Sequence, residues 1–486
     1  MNLPNTGDTD RRAHGQGPYT TDSDEHGRTC DRIAPTRPLT GPTAPPDPVQ
    51  AHRPAPRSDV DPARWPDVAR PPADRVSRWR GAAAGLLLER TLRTLPLRVR
   101  LGDGPPTGGG LGGPSGPLLH IRDPDVFFRR VGRSGLLGFG ESYMAGEWHS
   151  DDLVGTLTVL ASHVDDLVPS PLRRLRGLWL SRRPAAQRNT PDGVRRNVRR
   201  HYDLSNDLFA AFLDPTLSYS SAVFDRLPAR EEDFAAAQRR KIDRLLDLAA
   251  VGPGTRLLEI GTGWGELALR AAARGARVVT VTLSDEQRRL AEQRVAEARF
   301  EDRVHVRLCD YRDVDGAYDA VMSVEMIEAV GAEYWPDYFS ALRRLCAPGG
   351  RIALQAITMP HDRMLNTRRT HTWINAYVFP GGLIPSRKAV ADESAAAGLR
   401  VVSDTGYGEH YAETLRLWRE RFLARADHVA ALGFDTVFRR MWELYLAYSE
   451  AGFQSRYLDV RQLLLVPRPA PGSTRGSTER KGTATR

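Results

Sequence analysis

The chain has 486 residues, a net charge of +9 and 41% hydrophobic residues, which is enough for two domains with buried cores. Its three cysteines lack C-x-x-C spacing, which excludes a disulfide framework and a cysteine zinc cluster and favours a reducing cytoplasm. We therefore expect no metal site. No apolar run approaches the roughly 20 residues of a membrane-spanning helix. The positive charge favours a polyanionic partner, either nucleic acid or an anionic membrane surface.

Composition and hydrophobic periodicity divide the chain into four segments. Residues 1–78 are rich in Pro, Arg and Asp, lack apolar periodicity and predict a disordered arm. Residues 79–185 predict a small α+β domain followed by a basic linker, and residues 186–467 predict the catalytic domain. Residues 468–486 have the character of the arm and predict a disordered tail.

In the small domain, the spacing predicts a helix over 81–94, a strand over 97–101 and a helix over 124–131. The linker contains ten arginines and one acidic residue between positions 173 and 200. Leucines interleave with the first of these arginines, which is typical of an amphipathic helix at an anionic membrane surface. A solvated linker helix that docks on the next domain explains the pattern equally well.

The catalytic segment alternates short apolar strands with helical stretches. The helices are predicted to begin near 266 and to cover 285–300 and 334–345. This alternation predicts βαβ units and a doubly wound parallel sheet, with a ligand at the carboxyl ends of the strands. The predicted strands are 257–260, 276–283, 304–308, 318–324 and 351–357.

The most informative motif is the glycine-rich turn after the first of these strands. Gly261, Gly263 and Gly265 let the backbone turn sharply and approach a ligand, and a helix N-terminus follows them. Glu259 is unusual in a strand that should be buried on both faces. A carboxylate there suits the ammonium group of an amino-acid-like cofactor. The motif therefore favours S-adenosylmethionine (SAM) over a dinucleotide.

Further motifs lie in order across the catalytic segment, beginning with HYDLSNDLF at 201–209 and LSYSSAVF at 217–224. Together they resemble the cyclopropane-fatty-acyl-phospholipid synthase family, which includes the mycolic acid cyclopropane synthases. The resemblance implies a class I SAM-dependent methyltransferase fold, unsaturated phospholipid acyl chains as substrate and peripheral attachment to the inner face of the membrane. The other motifs cover 259–265, 281–287, 310–313, 323–331, 379–386 and 410–415.

The resemblance also implies which residues form the SAM pocket. Tyr219 and Ser220 correspond to family residues that hold the methionine moiety. Tyr311 stands where an aromatic residue flanks the adenine, with Asp310 nearby. The part of the pocket around the ribose and adenosine is assigned to Thr282, Leu283 and Gln287.

Family members are understood to hold a bicarbonate ion that accepts the proton released during the reaction. On this sequence the resemblance assigns the ligands of that ion to Ser221, Glu328, Gln355 and Tyr411, with the backbone of Ile357. Ser221 stands where the family has cysteine, and Gln355 stands where it has histidine. Glu325 adds a carboxylate where classical members often have glycine. Serine and glutamine can still donate hydrogen bonds to an anion, but neither carries a positive charge.

The family resemblance predicts transfer of a SAM-derived carbon to a cis double bond, giving a cyclopropane fatty acyl chain. A second product is a methylene branch that a partner reductase converts to a methyl branch. A small-molecule methyltransferase and a non-enzymatic lipid-binding protein remain alternatives, and a homodimer is left open. The Asp/Asn-Pro-Pro-aromatic and Pro-Cys motifs of nucleic-acid methyltransferases are missing from this sequence, so we expect no nucleic-acid partner.

Overall fold

A computed structural model of the protein describes residues 60–92, 94–108, 116–163, 205–368 and 370–468. These residues belong to one compact unit. The arginine-rich stretch at 173–200 and the first four residues of the HYDLSNDLF motif lie outside the described residues. In the part of the chain that is described, no helix is long and apolar enough to cross a membrane.

The small domain contains a four-stranded sheet with the order β2-β1-β3-β4. Strands β1 and β3 are parallel, and the other two pairs are antiparallel. The strands are β1 (Arg98–Leu101), β2 (Thr107–Gly108), β3 (Leu118–Ile121) and β4 (Trp148–Ser150). The helices are α1 (Pro66–Ala69), α2 (Arg75–Leu92), α3 (Pro124–Ser134), α4 (Leu136–Met144) and α5 (Leu153–Ser162).

Residues 60–78, which we predicted as part of the disordered arm, are ordered in the structure. This part of the prediction is wrong, because α1 and the start of α2 lie in this stretch and Val60 and Val68 are buried. The Arg130 guanidinium donates hydrogen bonds to the backbone oxygens of Asp67 and Val68. A few anchoring contacts with distant residues therefore order a segment whose own composition predicts disorder.

The catalytic domain has a seven-stranded sheet with the order β10-β11-β9-β8-β5-β6-β7. Strands β9, β8, β5, β6 and β7 are parallel, whereas β11 is antiparallel to both of its neighbours. The predicted doubly wound α/β sheet is thus confirmed. Its strands are β5 (Arg256–Ile260), β6 (Arg277–Thr282), β7 (Val304–Leu308), β8 (Tyr318–Val324), β9 (Cys346–Thr358), β10 (Leu399–Gly406) and β11 (Asp459–Pro467).

The buried residues of the strands alternate between two hydrophobic clusters, one on each face of this sheet. A third cluster joins helices of the catalytic domain to the small domain. The long helices α15 (Gly408–Ala424) and α17 (Thr436–Gln454) pack against each other, and α17 also contacts α4 and α5. The helices before β9 are α6 (Asn206–Phe212), α7 (Phe234–Leu248), α8 (Glu266–Ala273), α9 (Asp285–Glu297), α10 (Ile327–Val330) and α11 (Trp335–Leu345). The later helices are α12 (His361–Thr367), α13 (Trp373–Tyr377), α14 (Arg387–Ala396), α15 (Gly408–Ala424), α16 (Ala426–Ala431) and α17 (Thr436–Gln454).

The register of the parallel strands determines which loops meet. Ile260 at the end of β5 pairs with Ser323 of β8, and Val324 pairs with Gln355 of β9. The glycine-rich turn after β5 and the segment after β8 therefore emerge side by side at the carboxyl edge of the sheet. Ligands bind at this edge in open α/β sheets.

Candidate active site

The glycine-rich turn has the conformation that its sequence predicts. Gly261, Gly263 and Gly265 all have positive φ, at 96°, 52° and 90°. A Cβ on Gly261 would lie 2.7 Å from the Cγ of Met326, so this glycine is required for close packing. A Cβ on Gly263 would meet no protein atom within 4 Å, because this residue faces a cavity. The turn therefore presents bare backbone to the space where a ligand can bind.

Most of the predicted cofactor residues line this cavity. The predicted residues that line it are Tyr219, Ser220, Glu259, Gly261, Gly263, Thr282, Leu283, Gln287 and Tyr311. Gly265 and Asp310 do not line it. Gly265 instead precedes helix α8, and the Asp310 carboxylate forms an ion pair with Arg312 at 2.6 Å. Asp310 therefore contacts its neighbour Arg312 and does not contact the cavity directly.

Glu259 lines the cavity and is only 3% exposed. Its Oε2 accepts a hydrogen bond from the Thr280 hydroxyl at 2.6 Å. Burial raises the pKa of Glu259 to about 8, since the charged form loses its hydration. A cation placed above this carboxylate would restore its charged form. The sequence-based interpretation of Glu259 as the partner of an ammonium group is consistent with this environment.

Lys241 is a cavity residue that the sequence analysis missed. Its Nζ donates a hydrogen bond of 2.6 Å to the Ser220 Oγ, and the side chain is only 2% exposed. Three residues earlier on the same helix, the Gln238 amide donates to the backbone oxygen of Ser220 at 2.9 Å. The sequence contained a signal, because Lys241 falls on the apolar stripe of α7 beside Ile242. A lysine on such a stripe is rarely buried without a specific partner.

A second group of residues meets next to the cavity, and its centre is Glu325. The Glu325 Oε1 accepts hydrogen bonds from the Ser221 backbone N–H at 2.9 Å and from the Gln355 Nε2 at 2.7 Å. Its Oε2 accepts a hydrogen bond from the Tyr411 hydroxyl at 2.6 Å. Four predicted catalytic residues are thus in direct contact, and Glu325 is the one among them that lines the cavity.

Glu328, the fifth predicted catalytic residue, lies behind this group. Its Oε1 accepts a hydrogen bond from the Ile357 backbone N–H. Its Oε2 is buried and has no hydrogen-bond partner among the described residues. Burial, with a contribution from the Glu325 charge, raises the pKa of Glu328 to about 8. Glu328 therefore favours its protonated form at neutral pH.

The groups that the family resemblance assigns to bicarbonate are already occupied by side chains of this protein. Ser221, Gln355 and Tyr411 donate to Glu325, and the Ile357 backbone N–H donates to Glu328. A bound anion needs hydrogen-bond donors that no other group occupies. A second negative charge buried beside the Glu325 carboxylate would also be unfavourable. The predicted bicarbonate ion does not fit this arrangement.

Comparison with known proteins gives a consistent set of relatives. The mycolic acid cyclopropane synthetase family model matches residues 189–463. The tuberculostearic acid methyltransferase UfaA1 of Mycobacterium tuberculosis is 58% identical over 421 residues, which are 86% of this chain and 98% of that protein. The cyclopropane-fatty-acyl-phospholipid synthase of Escherichia coli is 33% identical, covering 71% of this chain and 87% of that protein.

Solved structures show the same relationship for the catalytic domain. The mycolic acid cyclopropane synthase CmaA1, complexed with SAH and CTAB, superimposes with a TM-score of 0.52 at 32% identity. It matches 58% of this chain and 98% of its own. The cyclopropane synthase MmaA2 from Mycobacterium tuberculosis has the same TM-score at 31% identity and matches 56% of this chain. The predicted methyltransferase fold is confirmed.

Proposed function

Because the chain belongs to the mycolic acid cyclopropane synthetase family, we propose that it transfers the methyl group of SAM to a cis double bond in a phospholipid acyl chain. The observation that carries this proposal is the position of the Glu325 carboxylate in the wall of the cavity formed by the glycine-rich turn. A proton acceptor beside a SAM pocket is what methylation of an alkene requires, because the attacked chain must lose a proton afterwards.

The residues present in the cavity fit SAM. Gly263 leaves room at the turn, Glu259 suits the ammonium group, and Thr282 and Gln287 offer polar atoms to the ribose. Bound SAM supplies an electrophilic methyl group on a sulfonium ion. Lys241 holds the Ser220 hydroxyl in place at the methionine end of the pocket. These residues therefore bind and orient the methyl donor, while Glu325 lies ready to accept a proton.

We propose the methylene-branched chain as the product, in place of the cyclopropane that the family resemblance predicted first. The 58% identity to a tuberculostearic acid methyltransferase supports this choice. The identity to the E. coli cyclopropane synthase is lower, at 33%, so it supports a cyclopropane product less strongly. A separate reductase that uses a hydride donor would then convert the methylene branch to a methyl branch.

We further propose that the exposed side of α2 docks on an anionic membrane surface. Val76, Trp79 and Leu86 recur at helical spacing and are 57%, 67% and 77% exposed. The exposed residues Arg75 and Arg78 lie on the same helix. Large apolar side chains beside arginines suit the boundary between lipid head groups and acyl chains. An enzyme that modifies a carbon within an acyl chain needs such a surface to reach its substrate.

The product proposal is tested by incubating the purified protein with methyl-deuterated SAM and vesicles of an unsaturated phospholipid. Chromatographic separation followed by mass spectrometry should reveal acyl chains with a methylene branch that retains two deuterons. A cyclopropane ring also retains two deuterons, so the chromatographic position must distinguish the isomers. Exclusive formation of the cyclopropane would contradict the proposed product, and methylation of no acyl chain would contradict the proposed reaction.

The docking proposal is tested by sedimentation with anionic vesicles. Replacing Trp79 and Leu86 together by serine should weaken binding about tenfold or more, because both apolar anchors are lost. Val402→Ser is the matched control, since Val402 is also an exposed apolar residue, at 39%, but lies on β10. Added salt should weaken binding of the wild type as well. Equal binding to neutral and anionic vesicles would contradict a role for the arginines.

A further inference from the structure

We propose that Glu325 is the base of the reaction and that its carboxylate takes the place of the bicarbonate ion implied by the family resemblance. This inference rests on the proposed function, because it assigns the proton-accepting step of that reaction. It differs from the sequence-based expectation, in which a separate anion accepts the proton and Glu325 is an additional carboxylate.

The first observation is that the donors converge on one carboxylate. The Ser221 N–H and the Gln355 Nε2 donate to one oxygen of Glu325, and the Tyr411 hydroxyl donates to the other. Bicarbonate presents the same chemical group, a planar carboxylate that accepts hydrogen bonds through its oxygens. The side chain of Glu325 therefore satisfies the donors that would otherwise hold the ion.

The second observation is the difference between the two neighbouring glutamates. Burial raises the pKa of Glu325, but its three hydrogen bonds and the nearby charge of Lys241 oppose this shift and favour the ionised form. Glu328 accepts one hydrogen bond and has a buried oxygen without a partner among the described residues. When two buried acids share one site, the one that accepts more hydrogen bonds carries the charge. Glu325 is therefore the ionised member and can accept a proton.

The third observation is the backbone conformation of Glu325. Its φ of +53° lies in the left-handed region, which glycine adopts freely and a glutamate adopts at a cost in free energy. The conformation is retained because the side chain is anchored by its three donors and the backbone N–H donates to the Gln355 oxygen at 2.7 Å. A strained residue with a fully engaged side chain at a cavity wall is typical of a functional position.

These observations define a balanced reaction. A carbon of the alkene forms a bond to the SAM methyl group while the methyl–sulfur bond breaks, and the neighbouring carbon becomes a cation. A 1,2-hydride shift then moves the positive charge to the carbon that carries the new methyl group. Glu325 removes a proton from that methyl group, and the electron pair of the C–H bond forms the methylene double bond. For the cyclopropane, the same proton is lost without the hydride shift and the electron pair closes the ring.

The first test compares turnover in buffer freed of carbon dioxide with turnover after bicarbonate is added. We expect the wild type to be unaffected by either condition. Glu325→Gln should lose about 100- to 10,000-fold in turnover under both conditions, because its amide fills the site but accepts no proton. Glu325→Gly should lose as much without bicarbonate and should recover at least tenfold when bicarbonate is added. Glu409→Gln, on the exposed start of α15, is the matched carboxylate control.

The second test needs no turnover. Binding of ¹³C-labelled bicarbonate to the SAH-bound protein is measured by NMR, and we expect binding to Glu325→Gly but not to the wild type or to Glu325→Gln. Circular dichroism and SAH affinity establish that each variant is folded. If the wild type methylates no lipid, the proposed function fails, but this binding assay still decides which group occupies the anion site.

Three results would overturn the inference. The first is a wild type that loses turnover when carbon dioxide is removed and regains it with bicarbonate. The second is Glu325→Gln with turnover within threefold of the wild type. The third is saturable binding of labelled bicarbonate to the wild type.

Discussion

The two halves of the active site differ in how their residues are distributed along the chain. The cofactor half is built around the continuous turn after β5, and its glycines adopt the conformations that their spacing predicts. The base half consists of Ser221, Glu325, Gln355 and Tyr411, which come from four separate parts of the chain. The contacts of Glu325 in this half join residues 104, 30 and 86 positions apart in the sequence.

The family pattern is kept in the cofactor half and changed in the base half. The cofactor half keeps the residues that its motifs predict, since most of them line the cavity. The base half must deliver one proton acceptor, and more than one arrangement of side chains achieves this. Glutamate at position 325 is compatible with the surrounding donors, since Gln355 and Tyr411 both donate to its carboxylate. Variants of the two halves should therefore differ in their effect on SAM binding.

The cofactor half should lose most of its affinity for SAM when a branched side chain is added to its glycine-rich turn. Gly263→Val should weaken SAM binding at least about 100-fold, because valine disfavours the positive φ of 52° and its side chain enters the cavity. Calorimetric titration with SAH measures this effect, and circular dichroism checks the fold. Gly252→Val is the matched control, because a Cβ at Gly252 also meets no atom within 4 Å. Near-native affinity in the folded Gly263→Val protein would show that the turn does not bind the cofactor.

The base half should lose turnover while it keeps SAM binding. Tyr411→Phe removes the hydroxyl that donates to the Glu325 Oε2 and should lower turnover about 10- to 100-fold. The affinity for SAH should stay within about threefold of the wild type. Tyr318→Phe, which removes a hydroxyl bonded to the Asp315 backbone oxygen, is the matched control. A parallel loss of SAH affinity would mean that the two halves are not separable.

The pH dependence of turnover should reflect the charge of Lys241, which lines the cofactor cavity and acts on Glu325 in the base half. Burial raises the pKa of Glu325, while hydrogen bonds from Tyr411, Ser221 and Gln355 and the charge of Lys241 oppose this shift. Turnover needs the ionised carboxylate, so it should fall as the pH drops through a pKa above that of an ordinary glutamate.

Replacing Lys241 tests this connection. Lys241→Met removes the nearby positive charge and should move the acidic limb of the rate profile to higher pH by about one unit. Arg244→Met, a change on the exposed side of the same helix, should leave the limb in place. A limb that does not move with Lys241→Met would contradict the electrostatic link to Glu325.

The smallest expected effect is a proton released when SAM binds. The pKa of Glu259 is about 8, so the carboxyl is mostly protonated at pH 7 before binding. The SAM ammonium favours the charged carboxylate and lowers this pKa, which releases up to about one proton. Calorimetry in buffers of different ionisation enthalpy measures the release. Glu259→Gln should abolish it, whereas Glu292→Gln on the surface of α9 should not. Equal binding enthalpies in all buffers would show that Glu259 is ionised before SAM arrives.

Features that depend on neighbouring residues could be predicted from the sequence. Alternating strands and helices predicted the parallel sheet, and β7 and β8 have the bounds that their patterns predicted. The glycine-rich turn predicted a SAM pocket, because three positive φ angles and a following helix are encoded within a few neighbouring residues. The family resemblance grouped Ser221, Glu328, Gln355, Tyr411 and the Ile357 backbone around one anion, and in the structure Ser221, Gln355 and Tyr411 contact the Glu325 carboxylate.

The contact of these residues with the Glu325 carboxylate could not be predicted from the sequence, because it depends on the tertiary structure. Glu325 reaches them because β8 pairs with β9, which places Val324 beside Gln355, and because the Ser221 segment and helix α15 close over the same edge of the sheet. The contact of Lys241 with Ser220 and the contact of Arg130 with Asp67 could not be predicted either, because the partners are distant in the chain. The physical reason is that hydrogen-bond partners across a fold depend on strand register and helix packing, which no short stretch of sequence specifies.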